Sequence, residues 1–143
     1  MYRNEHPNPQ FKRDFYICLN GLWEFGKGKC LNAQSPDLKN MIEVPFCPES
    51  VLSGIGDTDY IPDCVYSRLI NLSQEDLSGR LVLNFGAVDY IAEVYVNGKF
   101  AVRHVGGYTA FGVNITPFAV VGENRITVVV HDDIRENIPS GKQ

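Results

Sequence analysis

The sequence lacks the residue patterns that mark many metal sites, catalytic sites and membrane spans. Its four cysteines, Cys18, Cys30, Cys47 and Cys64, include no pair at C-x-x-C spacing, so the spacing predicts neither a zinc site nor a redox motif. Neither a Gly-x-Ser-x-Gly elbow nor a phosphate-binding loop occurs, which removes two common catalytic designs. No apolar run approaches the about 18 residues that a membrane-spanning helix needs.

An excess of positive charge is also missing. The 143 residues carry 13 Lys and Arg against 17 Asp and Glu, a net charge of -4, and the pI is about 5.3. This balance argues against nucleic acid and against an anionic membrane surface as partners, because both select clustered basic residues. The length predicts one domain over residues 1–143. Residues 1–6 lack the apolar core of a signal peptide, so we expect a cytoplasmic protein.

What the sequence does contain is β-strand alternation, most clearly in residues 80–111. In the run 80–85 every second residue is apolar, namely Leu81, Leu83 and Phe85, and the other face carries Arg80, Val82 and Asn84. This period is typical of a strand with one buried face. Ile91–Val96 is a second β-rich run, and Asn97-Gly98 follows it. This pair predicts a type I′ hairpin turn, because both residues tolerate positive φ. Lys99–Val105 is then the returning strand.

The register of this hairpin stays open. A strict two-residue turn would pair Val94 with Ala101, and it would put Lys99 and Arg103 on the same face as Val94 and Val96. Neither face would then be wholly apolar. Either a β-bulge shifts the register, or the hairpin is covered on both sides.

The remaining chain repeats the strand pattern at short intervals. Trp23, the single tryptophan, is interpreted as a core anchor, and Cys18 as a small buried side chain. Two short turns are predicted, one with Ser73 and Asp76 as a capping box and one starting at Thr116. Residues 26–40 are a polar loop that can cross between sheets. Further strands are predicted at residues 15–19, 22–25, 41–44, 66–72, 113–115 and 125–131, with Asn20-Gly21 as a second hairpin turn.

This pattern of about eight to nine short strands with almost no helix predicts an all-β fold, a β-sandwich or jelly roll.

A search for catalytic groups in the sequence finds no complete set. The histidines His104 and His131 lie at predicted strand ends, where a structural role is the simpler interpretation. Asp132 and Asp133 are adjacent, so their side chains point in opposite directions and cannot jointly flank one glycosidic bond. The chain is therefore predicted to be non-catalytic. Candidate binding residues are the aromatic and acidic loop residues Tyr60, Tyr90, Tyr108, Phe111, Asp132 and Asp133.

The loop 51–63 carries three carboxylates within seven residues, Asp57, Asp59 and Asp63. Calcium prefers such hard oxygen ligands, but the spacing matches no calcium loop that we can name. We therefore interpret this loop as a solvated acidic segment and predict no metal or cofactor.

Several segments, in order along almost the whole chain, resemble the N-terminal region of glycoside hydrolase family 2 enzymes, which include β-galactosidases, β-glucuronidases and β-mannosidases. The resemblance implies the family's sugar-binding jelly roll, similar to galactose-binding-like domains. The segments that carry it are Asn20-Gly21-Leu22-Trp23-Glu24-Phe25, Val44-Pro45-Phe46-Cys47-Pro48-Glu49-Ser50, Leu52-Ser53-Gly54-Ile55, Tyr66-Ser67-Arg68, Leu83-Asn84-Phe85-Gly86-Ala87-Val88-Asp89-Tyr90, Val96-Asn97-Gly98-Lys99 and His104-Val105-Gly106-Gly107-Tyr108-Thr109-Ala110-Phe111.

The resemblance also implies partners and a site. The family's catalytic acid and nucleophile are glutamates on a downstream (β/α)₈ barrel, so this chain is expected to be a non-catalytic part of a longer retaining hydrolase that packs on that barrel. It would help to form the cleft for a β-glycoside, with Asp132, Asp133 and Tyr108 as sugar contacts.

The chain stops before the family's closing strand, so we expect an open sheet edge that can pair with another copy. Two alternatives remain. A free-standing carbohydrate-binding module needs Tyr108 and Phe111 facing solvent. A purely structural or assembly domain leaves apolar patches bare.

Overall fold

The computed structural model describes residues 10, 15–30 and 32–132, and nearly all of its regular structure is β-strand. Within residues 15–30 and 32–132, the helical elements are two 3₁₀ turns, Val51–Ser53 and Asp76–Ser78. In chain order the strands are β1 Gly21–Lys27, β2 Asn40–Val44, β3 Asp63–Leu72, β4 Val82–Phe85, β5 Ile91–Val96, β6 Lys99–Val105, β7 Phe111–Asn114 and β8 Gly122–His131.

The strands form two antiparallel layers, which confirms the predicted β-sandwich. The larger sheet has the order β2-β1-β3-β8-β5-β6, and the smaller sheet pairs β4 with β7. β2 and β6 are the edges of the larger sheet; pairing of such an edge with another copy stays a prediction. No helix in the described part of the chain is long and apolar enough to cross a membrane.

The core lies between the inner face of the larger sheet and the small β4–β7 sheet. Fully buried side chains of the larger sheet include Phe25, Val94 and Ile126, and they face Leu83 and Val113 of the second layer. These positions follow the period of two that the sequence shows, because alternate side chains of a strand point to opposite faces. The alternation therefore predicted the buried face of β4 and β8 correctly, whereas the sequence pattern leaves the faces of β5 open.

Trp23 is the core anchor that the sequence predicted. Its ring is 6% exposed, and its indole N–H donates to the carbonyl of Leu19 at 2.8 Å. The guanidinium of Arg68 lies 6.0 Å from the ring centroid and donates to the same carbonyl at 2.7 Å and to that of Asn20 at 3.2 Å. The polar edge of the indole is thus satisfied while its body stays buried.

The same contacts show that the prediction for residues 15–20 was wrong. Residues 16–20 are not a strand, and Gly21 is the first residue of β1 rather than part of a hairpin turn. The carbonyls of Leu19 and Asn20 accept hydrogen bonds from the side chains of Trp23 and Arg68. These carbonyls satisfy their hydrogen-bonding needs without a strand partner.

The cysteines also differ from their predicted environment. Cys18 is only partly buried and lies outside the strands, whereas Cys64 in β3 is buried, and all four cysteines are free thiols. Burial raises the pKa of the Cys64 thiol from 9.0 to about 11. Burial also raises the pKa of the neighbouring Tyr66 phenol, with a further contribution from Cys64.

The Asn97-Gly98 turn forms as predicted, and a bulge decides its register. Asn97 and Gly98 have φ of 52° and 76°, the positive values of a type I′ turn. Tyr95 pairs with Phe100, but beyond an irregularity between Val94 and Tyr95 the partner of Val94 is Val102. The bulge alternative is therefore confirmed.

This bulge restores the separation of faces in β6. After it, Val102 and His104 pair with Val94 and Ala92, both of which face the core. Arg103 pairs instead with Glu93, on the other face.

The two predicted turns have different outcomes. Ser73 and Asp76 make the reciprocal capping box, with backbone-to-side-chain distances of 2.7 and 3.2 Å. The hydroxyl of Thr116 does not cap a helix but accepts from the Leu81 N–H at 2.8 Å, which links the start of β4 to the chain leaving β7 at one end of the small sheet. Only a single turn follows, closed on the carbonyl of Ile115.

The outer face of the larger sheet carries both polar and apolar side chains and is partly covered. We call residues 32–39 the strap. The hydroxyl of Thr127 donates to the strap carbonyl of Ala33 at 2.7 Å, and a Cβ on Gly26 or Gly98 would lie within 3 Å of Leu38 or Gln34 atoms. The segment predicted as a loop that can cross between sheets instead connects β1 and β2, which are neighbours in the same sheet, and packs on the outer face of that sheet.

Candidate functional site

Several loops meet at one end of the larger sheet, which we call the Asp132 end. His131, the last residue of β8, pairs with Asp63 at the start of β3 and with Ile91 at the start of β5. Ile91 in turn pairs with Val105 at the end of β6. The loops 57–62, 86–90 and 106–110 and the chain leaving β8 therefore share this end, because antiparallel register fixes which strand ends lie together.

Asp132 is held at this end by its backbone. Its N–H donates to the carbonyl of Pro62, and its carbonyl accepts from the Tyr60 hydroxyl, both at 2.8 Å. One residue earlier, Nδ1 of His131 lies 2.8 Å from Oδ1 of Asp63. Two predicted binding residues, Tyr60 and Asp132, are thus brought into direct contact. Asp133 lies outside the residues that the structure describes.

Tyr108 is the most exposed aromatic residue of this end. Its side chain is 72% exposed in the loop 106–110, and Tyr90 in the neighbouring loop is 40% exposed. The two loops are joined, since the Gly106 N–H donates to the Tyr90 carbonyl at 2.8 Å. A Cβ on Gly107 would lie 2.3 Å from Asp89 Oδ1, so glycine permits this close approach.

Phe111 has a different environment from Tyr108. Its ring stacks on Phe85 at 4.6 Å and on His104 at 4.2 Å, with interplanar angles of 11° and 12°. Two rings this close and this nearly parallel occupy its two faces. Phe111 therefore packs the corner between the sheets, and Tyr108 is the more accessible of these two aromatic side chains.

The histidines have structural partners, as the sequence interpretation expected. His104 Nε2 lies 3.1 Å from the Thr109 hydroxyl, and His131 contacts Asp63. In the acidic loop, the Asp57 carboxylate contacts Lys27 and accepts from the Asp59 N–H. Within the described residues, no group of three or more His, Cys, Asp or Glu is arranged to hold a metal.

Comparisons with known proteins agree with the geometry. The family model for the glycosyl hydrolases family 2 sugar binding domain matches residues 52–137. The chain belongs to this family. The domain is 29% identical to a β-glucuronidase of Paenibacillus borealis over 133 residues, and the match covers 87% of the chain and 22% of that protein. It is 33% identical over 131 residues to a probable β-mannosidase of Caenorhabditis elegans, covering 83% of the chain and 14% of the relative.

Solved structures show the same fold. The crystal structure of Bacteroides uniformis β-glucuronidase superposes with a TM-score of 0.70 at 29% identity, covering 86% of this chain and 15% of that one. The sugar-binding domain thus spans about a fifth or less of these relatives.

Sequence reasoning selected most of the residues at the Asp132 end but not how they are connected. It did not select Asp63 and His131 as a pair. The two residues are brought together by the register of β3 and β8, and sequence patterns do not determine that register.

Proposed function

We propose that this sugar-binding domain is a non-catalytic part of a retaining family 2 β-glycosidase. In this proposal it packs on a downstream catalytic barrel and supplies one wall of the substrate cleft. Asp132, Asp133 and Tyr108 contact the sugar. Support comes from the family match and, above all, from the convergence of three loops and the β8 exit on one end of the sheet.

The residues at that end suit a cleft wall better than a complete site. Asp132 offers a carboxylate on a backbone fixed by Pro62 and Tyr60, and carboxylates accept hydrogen bonds from sugar hydroxyls. Tyr108 offers an exposed ring, but Phe111, the second ring expected to face solvent in a free-standing module, is stacked on Phe85 and His104. Affinity for a sugar would then require groups from a neighbouring domain.

A hybrid enzyme tests this proposal. The sugar-binding domain would replace the matching region of the Paenibacillus borealis β-glucuronidase, and activity would be compared with that enzyme lacking the region. We expect the hybrid to hydrolyse a chromogenic glucuronide while the truncated enzyme does not. Asp132→Asn should raise KM about tenfold, the effect of weakening one charge-assisted hydrogen bond, whereas Asp59→Asn should leave it unchanged. A hybrid that folds and assembles yet stays inactive would contradict the proposal.

The exposure of Tyr108 favours a second candidate, a carbohydrate-binding module that acts alone. Titration of the chain with methyl β-galactoside, β-glucuronide and β-mannoside, followed by NMR, separates the two. Saturable binding near 1 mM or tighter that disappears in Tyr108→Ala but persists in Tyr90→Ala would favour the module. Absence of binding at the Tyr108 loop would favour the cleft-wall role.

Exposed aliphatic residues favour a third candidate, a structural or assembly domain. Val51 and Leu52 are 86% and 61% exposed beside the edge strand β2. This role predicts association of the chain that increases with concentration and is abolished by Leu52→Lys, which analytical ultracentrifugation would detect.

A further inference from the structure

A groove with a volume of about 390 Å³ lies on the outer face of the larger sheet. Two neighbouring rows of side chains form its floor, and strand register places them together. One row contains Asp63, His131 and Ile91, and the next contains Val129, Glu93 and Arg103. The volume falls in the range of about 300–1,000 Å³ that small-molecule sites occupy.

The two carboxylates of the groove are already held by protein groups. Glu93 Oε2 accepts from the Tyr95 hydroxyl at 3.0 Å, and its Oε1 lies 3.7 Å from Arg103 Nε. Asp63 Oδ1 contacts His131 at 2.8 Å. These contacts hold both carboxylates in place. The His131 contact uses only Oδ1 of Asp63, so Oδ2 of the same carboxylate can accept a hydrogen bond from a ligand hydroxyl.

The positively charged side chains of the groove, Lys29 and Arg103, have fewer protein partners than its carboxylates. Lys29 lines it, and no ion pair or hydrogen bond to its ammonium group is found within residues 15–30 and 32–132. Arg103 contacts Glu93 through Nε, and in the described part of the chain no acceptor contacts its two terminal guanidinium nitrogens. Arg103 and Lys29 together therefore offer several N–H donors without acceptors, and a carboxylate satisfies such donors well.

We propose that this groove binds a saccharide that carries a carboxylate, that is, a uronic acid. The carboxylate contacts Arg103 and Lys29, the apolar face of the ring lies on Ile91 and Val129, and a hydroxyl donates to Asp63. The inference goes beyond the proposed function, because none of these side chains belongs to the cleft-wall set of Asp132, Asp133 and Tyr108. It holds whether or not that set contacts sugar.

The test uses the full 143-residue chain and two probes that differ only at C6. Methyl β-glucuronide carries the carboxylate, and methyl β-glucoside carries a hydroxymethyl group instead. We expect the glucuronide to shift the amide resonances of Glu93, Arg103 and Val129 in a saturable way, with affinity at least about tenfold above that for the glucoside. Arg103→Gln should remove most of this preference, and Lys29→Gln a smaller part. Lys99→Gln, on the same strand as Arg103 but outside the groove, should not change it.

A chemical readout supplies independent support. Cys30 lines the groove and is partly exposed, whereas Cys47 is exposed elsewhere. Saturating glucuronide should slow alkylation of Cys30 by iodoacetamide several-fold and leave Cys47 unaffected, as peptide mass spectrometry would measure.

Three results would overturn the site. They are equal affinity for the two probes, shifts confined to the Tyr108 loop and Asp132, and no shift at all. The second of these would support the cleft-wall residues while rejecting the groove, so the two proposals fail separately.

Discussion

The two faces of the six-stranded sheet are both buried in part, but by different means. On the inner face Phe25 is fully buried by aliphatic and aromatic neighbours from both layers. On the outer face Ser67 and Thr127 are also fully buried, and they are satisfied by hydrogen bonds to the Arg125 guanidinium and the Ala33 carbonyl. Arg125 in addition contacts Glu24 across the sheet.

Side chains that are equally buried can therefore contribute to the free energy of unfolding in different ways. Apolar contact is non-directional and grows with the area removed from water. A buried hydroxyl stabilises only while its partner is in place, and it costs free energy once that partner is lost. The inner face should therefore respond to changes of volume, and the outer face to changes of single polar atoms.

The largest expected effect is on the inner face. Phe25→Ala removes a fully buried ring and should lower the free energy of unfolding by about 3–5 kcal/mol. Leu22→Ala, on the same strand but 60% exposed on the other face, should change it by about 0.5 kcal/mol or less. Urea unfolding followed by circular dichroism measures both. Equal losses for the two variants would mean that the faces do not differ as described.

An intermediate effect concerns protonation of the inner face. The pKa of Cys64 is raised from 9.0 to about 11, so its neutral thiol is favoured in the folded state. Its contribution is complete below pH 9, where both states are protonated, and is lost as pH rises from 9 towards 11, where only the unfolded chain ionises. The loss should be on the order of 2 kcal/mol, seen by comparing urea unfolding at pH 8 and pH 10.5.

Cys64→Val is the control for this pH effect. It keeps an apolar side chain at the site but removes the titrating group. The variant should lose less stability between the two pH values than the parent chain. The remaining loss should come partly from Tyr66, whose pKa is raised in the same direction. An identical loss in both chains would assign the pH dependence to other groups.

The smallest expected effect is on the outer face. Thr127→Val keeps the shape of the side chain but removes the hydroxyl that contacts Ala33, and should cost about 1 kcal/mol. Because the strap loses this anchor, amide hydrogen exchange of strap residues should speed up more than that of β8. Thr58→Val, at an exposed loop position, should alter neither quantity. Unchanged exchange in the strap would show that other contacts hold it on the sheet.

Much of the inner face could be predicted from the sequence. Alternation of apolar residues marked β4 and β8, and a β-rich run followed by Asn97-Gly98 marked the hairpin, because period and turn chemistry are local properties. The outer face could not be predicted in the same way. Thr127 looks like a solvent-facing polar residue until the strap contacts it through Ala33, 94 residues away along the chain. Ser67 looks the same until Arg125 of β8 donates to its hydroxyl.

The candidate site also has a part that could be predicted from the sequence and a part that could not. Exposed loop residues such as Tyr108 and Asp132 were selected from residue type, and their sugar contacts remain a proposal. The groove near Arg103 and Asp63 could not be found, because it depends on four strands lying in register. A one-residue change of register would move every groove side chain to the opposite face.

By itself, the sequence determined the all-β class, the capping box at Ser73, the hairpin turn and the resemblance to the sugar-binding domains. These depend on backbone preferences and side-chain period within a few residues. Only the tertiary structure decided the bulge at Val94, the irregular path of residues 16–20 and the covered outer face. There the outcome depends on which distant side chain satisfies a given carbonyl or hydroxyl, and that pairing exists only once the sheets have formed.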